Sequence, residues 1–406
     1  MAAGQSSRRH GRELGPAVEI FLWSRLALWA VALFAFLTFE PSRNPSAFRW
    51  DSPRLHDLGA VTDVWARWDS DWLLRIAEHG YAAAPSSTPA FPPLYPALVG
   101  GVGRVLGGHY VPAGILVSLA ACLGAFLLLH RLAEEKLGPA GARRAVLYVA
   151  LFPMSLFLQA VYSESLFLVL ALAAFLLAER GRFPAAGAAA GLAGLARLGG
   201  VALLPALALL AWRAPDRRRA LVGLLLAPAL WLAYPAWLWL QIGEPFALFR
   251  AQEGIWQRHL SAAGPLGGLW DGLDAGWAGL RQLLSGSHTT RYWHAVTDAD
   301  PLRVAAINLE QLAFTVLFLV LATVAWRRFG APYGLFAVLG LALPLSFPSE
   351  RWPLLSLSRF GLVLFPLFLA LAALGERPRL HAAIVSVSSL LLGVAVVQWA
   401  LWQWVA

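Results

Sequence analysis

Residues 65 to 81, WARWDSDWLLRIAEHGY, hold the groups best suited to chemistry. Wound as an α-helix at about 100° per residue, this stretch brings Trp65, Trp72, Leu73 and Ile76 within about 60° of Asp69. A carboxylate then sits in the middle of an apolar, Trp-rich face. Asp71 falls on the opposite side with Arg67 and Glu78, among groups that water would solvate. A charge on the core- or membrane-facing side of a helix is costly unless it is paired or used, which makes Asp69 the functional candidate. The plainer alternative is an interfacial amphipathic helix whose Trp residues anchor at headgroup level, with Asp69 capping a neighbouring element or pairing with an arginine.

Four further ionisable groups stand at expected turns between apolar segments: Glu164 in YSES, Arg197 in LARLGG, Arg258 after FRAQEGIWQ, and Arg359 in LSRF. A carboxylate near several guanidiniums suits a phosphate-bearing substrate that reacts with a hydroxyl. Arginine would hold the departing phosphate by bidentate hydrogen bonds, and the carboxylate would take the acceptor proton. Each arginine alone reads better as a snorkelling or helix-capping side chain than as a substrate ligand; their shared side is the argument. In FALFRAQEGIWQRHL, Gln252 and Trp256 lie four apart and share a helical face.

No phosphate-binding loop, dinucleotide glycine fingerprint, HExxH or GxSxG occurs in a credible context. The pieces GGVGRVLGG and GGLWDGLDAG are expected to be turns and close helix packing. Asp69 and Asp71, two apart on a helix, point away from each other, and His79, His259, His288 and His294 are scattered, so a divalent metal is possible but not favoured, and no other cofactor is expected.

These groups must be positioned by a membrane protein. Of 406 residues, 59% are hydrophobic and 14% charged, far from a soluble balance. The net charge of +9 is carried by arginines in short loops, Lys136 being the sole lysine, which fits cytoplasmic loops facing anionic lipid rather than a nucleic-acid surface. The single cysteine, Cys122, lies in an apolar run and permits no disulfide.

A basic N-terminus, residues 1–16 with Arg8, Arg9 and Arg12, is expected in the cytoplasm before an uncleaved first span at about 17 to 39. The acidic stretch that follows, within a first loop at 40–110, is then outside, with an interfacial helix and a run from Tyr95 to Leu106 too short to span. A span is expected at 111 to 130 and a basic loop at 131 to 144. Two interrupted hairpins follow, with outer turns at Glu164 and Arg197, of the kind tolerated where they line a cavity. A span at 220 to 240 leads to a second long outer segment, 241–303, and further spans lie at 304–325, 331–346, 360–374 and up to about 404. The fold class expected is an all-α polytopic bundle of about eleven transmembrane helices, forming one integral membrane domain over 1–406.

RWDSDWLLRIAEHGY followed by FPPLYPALV resembles the first luminal loop of the PIG-V-like mannosyltransferases, members of the GT-C class of multispanning glycosyltransferases. The similarity continues through LFPMSLFLQAVYSESLFLVLALAAFLLAERGR, AGLAGLARLGGVALLPAL, FRAQEGIWQR and LSRFGLVLFPLFLAL, in the family's order. The resemblance implies a GT-C-like bundle. It puts the family's loop aspartate on Asp69, its Tyr-Ser-Glu motif on Tyr162, Ser163 and Glu164, its Arg-x-x-Gly motif on Arg197 and Gly200, its Gln-x-x-x-Trp-x-Arg element on Gln252, Trp256 and Arg258, and its late arginine on Arg359. Trp68, Trp72 and Tyr81 of the first motif join the expected substrate-binding set, whereas Leu73 stands where the family commonly has Tyr. The implied reaction is inverting transfer of mannose from polyprenyl-phosphate-mannose to a glycolipid, polysaccharide or protein acceptor on the outer face of the cell membrane. A transporter or flippase of polyprenyl-phospho-sugars is the alternative; neither an internal repeat nor midplane charges, which transporters usually show, is found.

Overall fold

The computed structural model describes residues 15–41, 51–294 and 299–405. The basic N-terminal residues Arg8, Arg9 and Arg12 and the 42–50 part of the first loop lie outside them. The described residues are helices joined by turns, with one isolated antiparallel bridge between Arg258 and Ser349. In chain order the helices that matter are α1 Gly15–Thr38, α2 Ser70–His79, α3 Leu94–Val105, α4 Tyr110–Leu151, α5 Glu164–Glu179, α6 Phe183–Ala196, α7 Leu203–Trp212, α8 Arg217–Leu224, α9 Leu226–Ile242, α10 Ala247–Trp256, α11 Pro265–Ser285, α12 Pro301–Phe329, α13 Ala331–Ser346, α14 Leu357–Leu362, α15 Phe365–Leu374 and α16 Pro378–Ala400.

Five helical stretches are long and apolar enough to cross a membrane: Gly15–Thr38, Tyr110–Leu151, Arg217–Ile242, Pro301–Phe329 and Pro378–Ala400. Shorter apolar helices at Phe183–Ala196, Leu198–Trp212, Ala331–Ser346 and Phe365–Leu374 accompany them, as an all-α multi-pass membrane protein requires. Leu22, Leu26 and Phe34 on α1 and Leu390 on α16 point outward, the arrangement of a bundle solvated by lipid rather than water. The inner core joins α5, α12, α13, α15 and the end of α4 through aromatic rings: Phe175 packs on Tyr333, Phe336 and Phe365, and Phe152, just after α4, on Phe314, Phe318 and Phe368.

Two local expectations are corrected. The basic loop expected at 131–144 is helical throughout except at Gly138, whose φ of 71° breaks α4 just before Pro139. Glycine takes the left-handed conformation at little cost and proline starts a new helix readily, so one residue suffices for the bend. Lys136 and Arg180 then pair with Glu179 and Glu135 across α4 and α5 at this end of the bundle.

The glycines of GGLWDGLDAG form no turn. They lie inside α11, where Gly268, Gly272, Gly276 and Gly279 make one face; a Cβ on any of them would overlap Leu345, Leu354, Leu312 or Ala305 respectively. The close-packing half of that expectation holds, because small residues let α11 lie directly against α12, the end of α13 and the 347–356 loop.

Candidate active site

The stretch around Asp69 is built differently from the helix expected over 65–81. The helix is shorter, Ser70–His79, and Asp69 is the residue before it. Trp68 is held at φ 53°, in the left-handed region, so the chain turns sharply just ahead of the carboxylate. Tertiary hydrogen bonds impose this turn. The Trp65 carbonyl accepts from Val161 N–H at 3.0 Å, and Ser70 Oγ accepts from Arg67 N–H at 3.1 Å while donating to the Val161 carbonyl at 3.2 Å. These bonds replace the helical bonds of the first turn.

The helical-face placement of its neighbours changes accordingly. Trp65 is fully buried, and Arg67, expected in water beside Asp71, is 1% exposed with its guanidinium 4.1 Å from the Trp402 ring centroid. Asp71 is paired with Arg54 at 2.9 Å and Arg75 at 3.4 Å.

The segment before α5 completes the placement of Asp69. Tyr162 Oη accepts from the Asp69 N–H at 3.1 Å and donates to the Arg67 carbonyl at 3.1 Å, so one buried phenol ties both sides of the turn. Glu164, fully buried, opens α5, where the helix N-terminus favours a negative charge. Arg197 ends α6 in extended conformation, before a short 3₁₀ turn, Leu198–Ala202. Gly200 in that turn presses on the backbone of Ala193 and Gly194, which a Cβ would overlap. The Arg-x-x-Gly spacing thereby acquires a physical reason: the glycine lets the turn fold tightly enough to aim the arginine inward.

These elements bring four of the expected ionisable groups into one chain of contacts. Arg359 on α14 donates from Nη1 to Asp69 Oδ2 at 2.9 Å, and its Nε lies 3.3 Å from Glu164 Oε1. Arg197 Nη1 lies 2.5 Å from the same Glu164 oxygen. Arg258, in the loop after α10, donates to the Phe347 and Leu355 carbonyls at 3.0 and 2.6 Å. The three guanidiniums meet at one ring, standing 5.5, 5.5 and 5.6 Å from the Phe360 centroid. A ring face attracts cations, so Phe360 helps offset the repulsion among them. Burial and the nearby Arg359 charge push Arg258 down to about 10, which leaves it a cation at neutral pH. Three guanidiniums against the two carboxylates Asp69 and Glu164 leave the cluster one positive charge in excess.

The other expected residues lie around this cluster in different roles. Tyr81 is buried against Tyr234, with its hydroxyl donating to the Phe91 carbonyl at 2.8 Å. Gln252 donates to the Ala90 carbonyl at 3.5 Å, and Trp256 packs edge-on against Phe91 at 5.4 Å. All three therefore hold the 89–91 segment, and none reaches the Asp69 carboxylate. Trp72 carries the Arg75 guanidinium on its ring at 5.4 Å. Trp68 adjoins Asp69 and packs against Trp402 and Trp404. Among the described residues no three His, Cys, Asp or Glu side chains gather as a metal-binding set.

Phe360 and the aromatic partners of Trp68 were not among the expected residues. Phe360 stands beside Arg359 in LSRF, but a phenylalanine in an apolar run carries no signal of a charged neighbourhood.

Residues 57–202 match the family model described as Mannosyltransferase (PIG-V). The chain is PIG-V-like across this region. The resemblance read from the motifs is thus shown where Asp69, Tyr162, Glu164, Arg197 and Gly200 lie; Arg359, from beyond the matched residues, joins this region through its ion pairs with Asp69 and Glu164, and Arg258, also from beyond it, meets Arg197 and Arg359 at the Phe360 ring. GPI alpha-1,6-mannosyltransferase 2 of Rattus norvegicus is 36% identical over 179 residues, which are 40% of this chain and 35% of the rat protein. The match therefore spans about a third of that relative's length.

Among solved structures, ArnT from Cupriavidus metallidurans bound to undecaprenyl phosphate is similar with a TM-score of 0.48 and 17% identity, over 94% of this chain and 63% of ArnT. The oligosaccharyltransferase AglB from Archaeoglobus fulgidus, in complex with an inhibitory peptide and a dolichol-phosphate, has a TM-score of 0.40 and 14% identity, over 93% and 55% of the two chains.

Proposed function

We propose that this protein is a mannosyltransferase that takes mannose from polyprenyl-phosphate-mannose on the outer face of the cell membrane and passes it, with inversion, to an envelope acceptor. The observation that carries the proposal is the 2.9 Å pair between Asp69 and Arg359, set among three guanidiniums with one positive charge in excess. An anionic phosphate fits such a cluster, and a carboxylate at its edge is the base an acceptor hydroxyl needs. The PIG-V-like region supplies the sugar class.

In this scheme the acceptor oxygen attacks the anomeric carbon from the face opposite the phosphate. The bond from acceptor oxygen to carbon forms as the bond from carbon to phosphate oxygen breaks, and the proton passes to Asp69. Arg359, released in part from Asp69 as that carboxylate gains the proton, turns its charge to the leaving phosphate together with Arg197 and Arg258. A single displacement inverts the anomeric configuration. The guanidiniums supply positive charge at the phosphate, so the scheme asks for no divalent metal. The acceptor is a glycolipid, polysaccharide or protein hydroxyl, and the donor tail lies in membrane lipid.

The test offers radiolabelled polyprenyl-phosphate-mannose and a mixture of envelope lipids, glycans and peptides to the purified protein in nanodiscs and in sealed vesicles. Label entering an acceptor, with the anomeric configuration reversed, is expected. Donor that crosses the vesicle membrane without transfer would overturn the enzyme reading in favour of a flippase.

A further inference from the structure

Arg359 reaches both carboxylates of the site, yet the helix that carries it, α14, is only six residues long. So short a helix has little stability of its own and takes its position from its neighbours. It starts after Ser356, which is held in the left-handed region at φ 62° and whose side chain makes no cap bond. The first N–H groups of a helix have no partner within it and must find one elsewhere. Leu357 N–H donates to the Leu354 carbonyl and Phe360 N–H to the Ser356 carbonyl, both at 3.0 Å. Ser358 N–H, directly before Arg359, goes instead to a side chain of another helix.

That side chain is Gln311 of α12. Its Oε1 accepts from Ser358 N–H at 3.0 Å, and its Nε2 donates to Ser358 Oγ at 3.0 Å. Two bonds between one amide and one residue fix the direction of the turn as well as its place, whereas a single bond would leave a pivot. Gln311 and Ser358 are 2% and 0% exposed, so water does not compete for either bond. A second contact lies three residues further on, where Gly361 presses on the Phe318 ring of α12, which a Cβ would overlap. α12 thus holds α14 on both sides of Arg359. This helix is long and apolar enough to cross the membrane, and a buried amide in such a helix is costly unless its hydrogen bonds are met. Gln311 spends both polar atoms of its amide on the residue next to Arg359.

We propose that Gln311 is a positioning residue of the transferase: it holds the first turn of α14 so that the Arg359 guanidinium lies between Asp69 and Glu164 and meets the departing phosphate. The proposal rests on the transferase reading and adds a residue to the same site, one that acts through Arg359 rather than on the substrate.

The test measures mannose transfer by wild type, Gln311→Met, Arg359→Lys and the double variant, all as full chains in nanodiscs. Methionine keeps the length of glutamine but makes neither bond. Gln311→Met is expected to lower kcat about tenfold or more, and to lower it less than about twofold further where Arg359 is already lysine, because a residue that acts through Arg359 then has nothing left to aim. Wild-type kcat in Gln311→Met overturns the proposal. An equal loss in the Arg359→Lys background overturns it too, being the mark of a contact that serves the fold at large. Ser358→Ala, which removes the Oγ partner and leaves the N–H bond, takes the place of Gln311→Met in the same cycle if the latter does not fold. The same proteins are titrated with farnesyl phosphate, a short polyprenyl phosphate, which reads the phosphate site without turnover. Farnesyl phosphate bound about fivefold or more weaker after Gln311→Met, only where Arg359 is present, and with no mannose transfer by wild type, sinks the transferase and leaves the positioning role. Transfer by wild type that loses nothing in Gln311→Met sinks the positioning role and leaves the transferase. A wild type that neither transfers mannose nor binds farnesyl phosphate overturns both.

Discussion

Arg359 is the residue that joins the two carboxylates, reaching Asp69 from Nη1 and Glu164 from Nε. Geometry, rather than charge alone, is what it contributes, since a lysine ammonium carries the same charge but cannot span both oxygens as a planar fork. Arg359→Lys is therefore expected to lower kcat for mannose transfer roughly 10- to 100-fold while the protein stays folded; near wild-type turnover would show that a point charge suffices. Phe360, the ring shared by three guanidiniums, is expected to matter to stability: Phe360→Leu keeps apolar volume but loses the ring face, at a cost of about 1–3 kcal/mol that thermal unfolding in nanodiscs would register. The charged members of the network were legible in the sequence because an ionisable group between apolar segments is conspicuous. Phe360 was not, because aromatic residues are abundant in any membrane protein and only contacts distant in sequence give it a role.

At the scale of elements, the periodicity of the 65–81 stretch pointed to one helix, and the structure begins that helix at Ser70. Hydrogen bonds from Val161 and Tyr162 take over the backbone groups that a longer helix would have used, and such long-range competition leaves no trace in local pattern. Asp69 was selected all the same, since a charge in apolar surroundings is costly in either conformation. The break between α6 and α7 was visible in LARLGG, and its cause is the contact of Gly200 with Gly194. Gly200→Ala is expected to destabilise the protein by about 1–3 kcal/mol and to weaken transfer by moving Arg197 away from Glu164, both measurable by thermal unfolding and initial rates. Unchanged stability would mean that the turn relaxes without cost. The role of α11 was only half legible, because glycines four apart serve helix packing and turns alike in a sequence read without its partners.

For the whole molecule, composition alone announced a helical membrane protein, since 59% hydrophobic residues leave few other solutions. Short helices blurred the boundaries, as α14 and α15 show by dividing at Leu364 a segment expected to be a single span. The proposed sidedness rests on the arginine-rich loops and is open to thiol labelling, for which Cys122, fully buried, leaves little background. Single cysteines at the exposed positions Thr289 and Arg218 should react with a membrane-impermeant maleimide from opposite sides, Thr289→Cys from the outside; labelling of both from one side would contradict an outer-face site. The central claim is that transfer depends on the Asp69 carboxylate. Its most direct test is the rate of mannose transfer from polyprenyl-phosphate-mannose by Asp69→Asn beside wild type, with thermal unfolding measured on the same samples. The predicted result is a fall of about 100-fold or more in a variant that remains folded. Transfer at the wild-type rate would contradict the account.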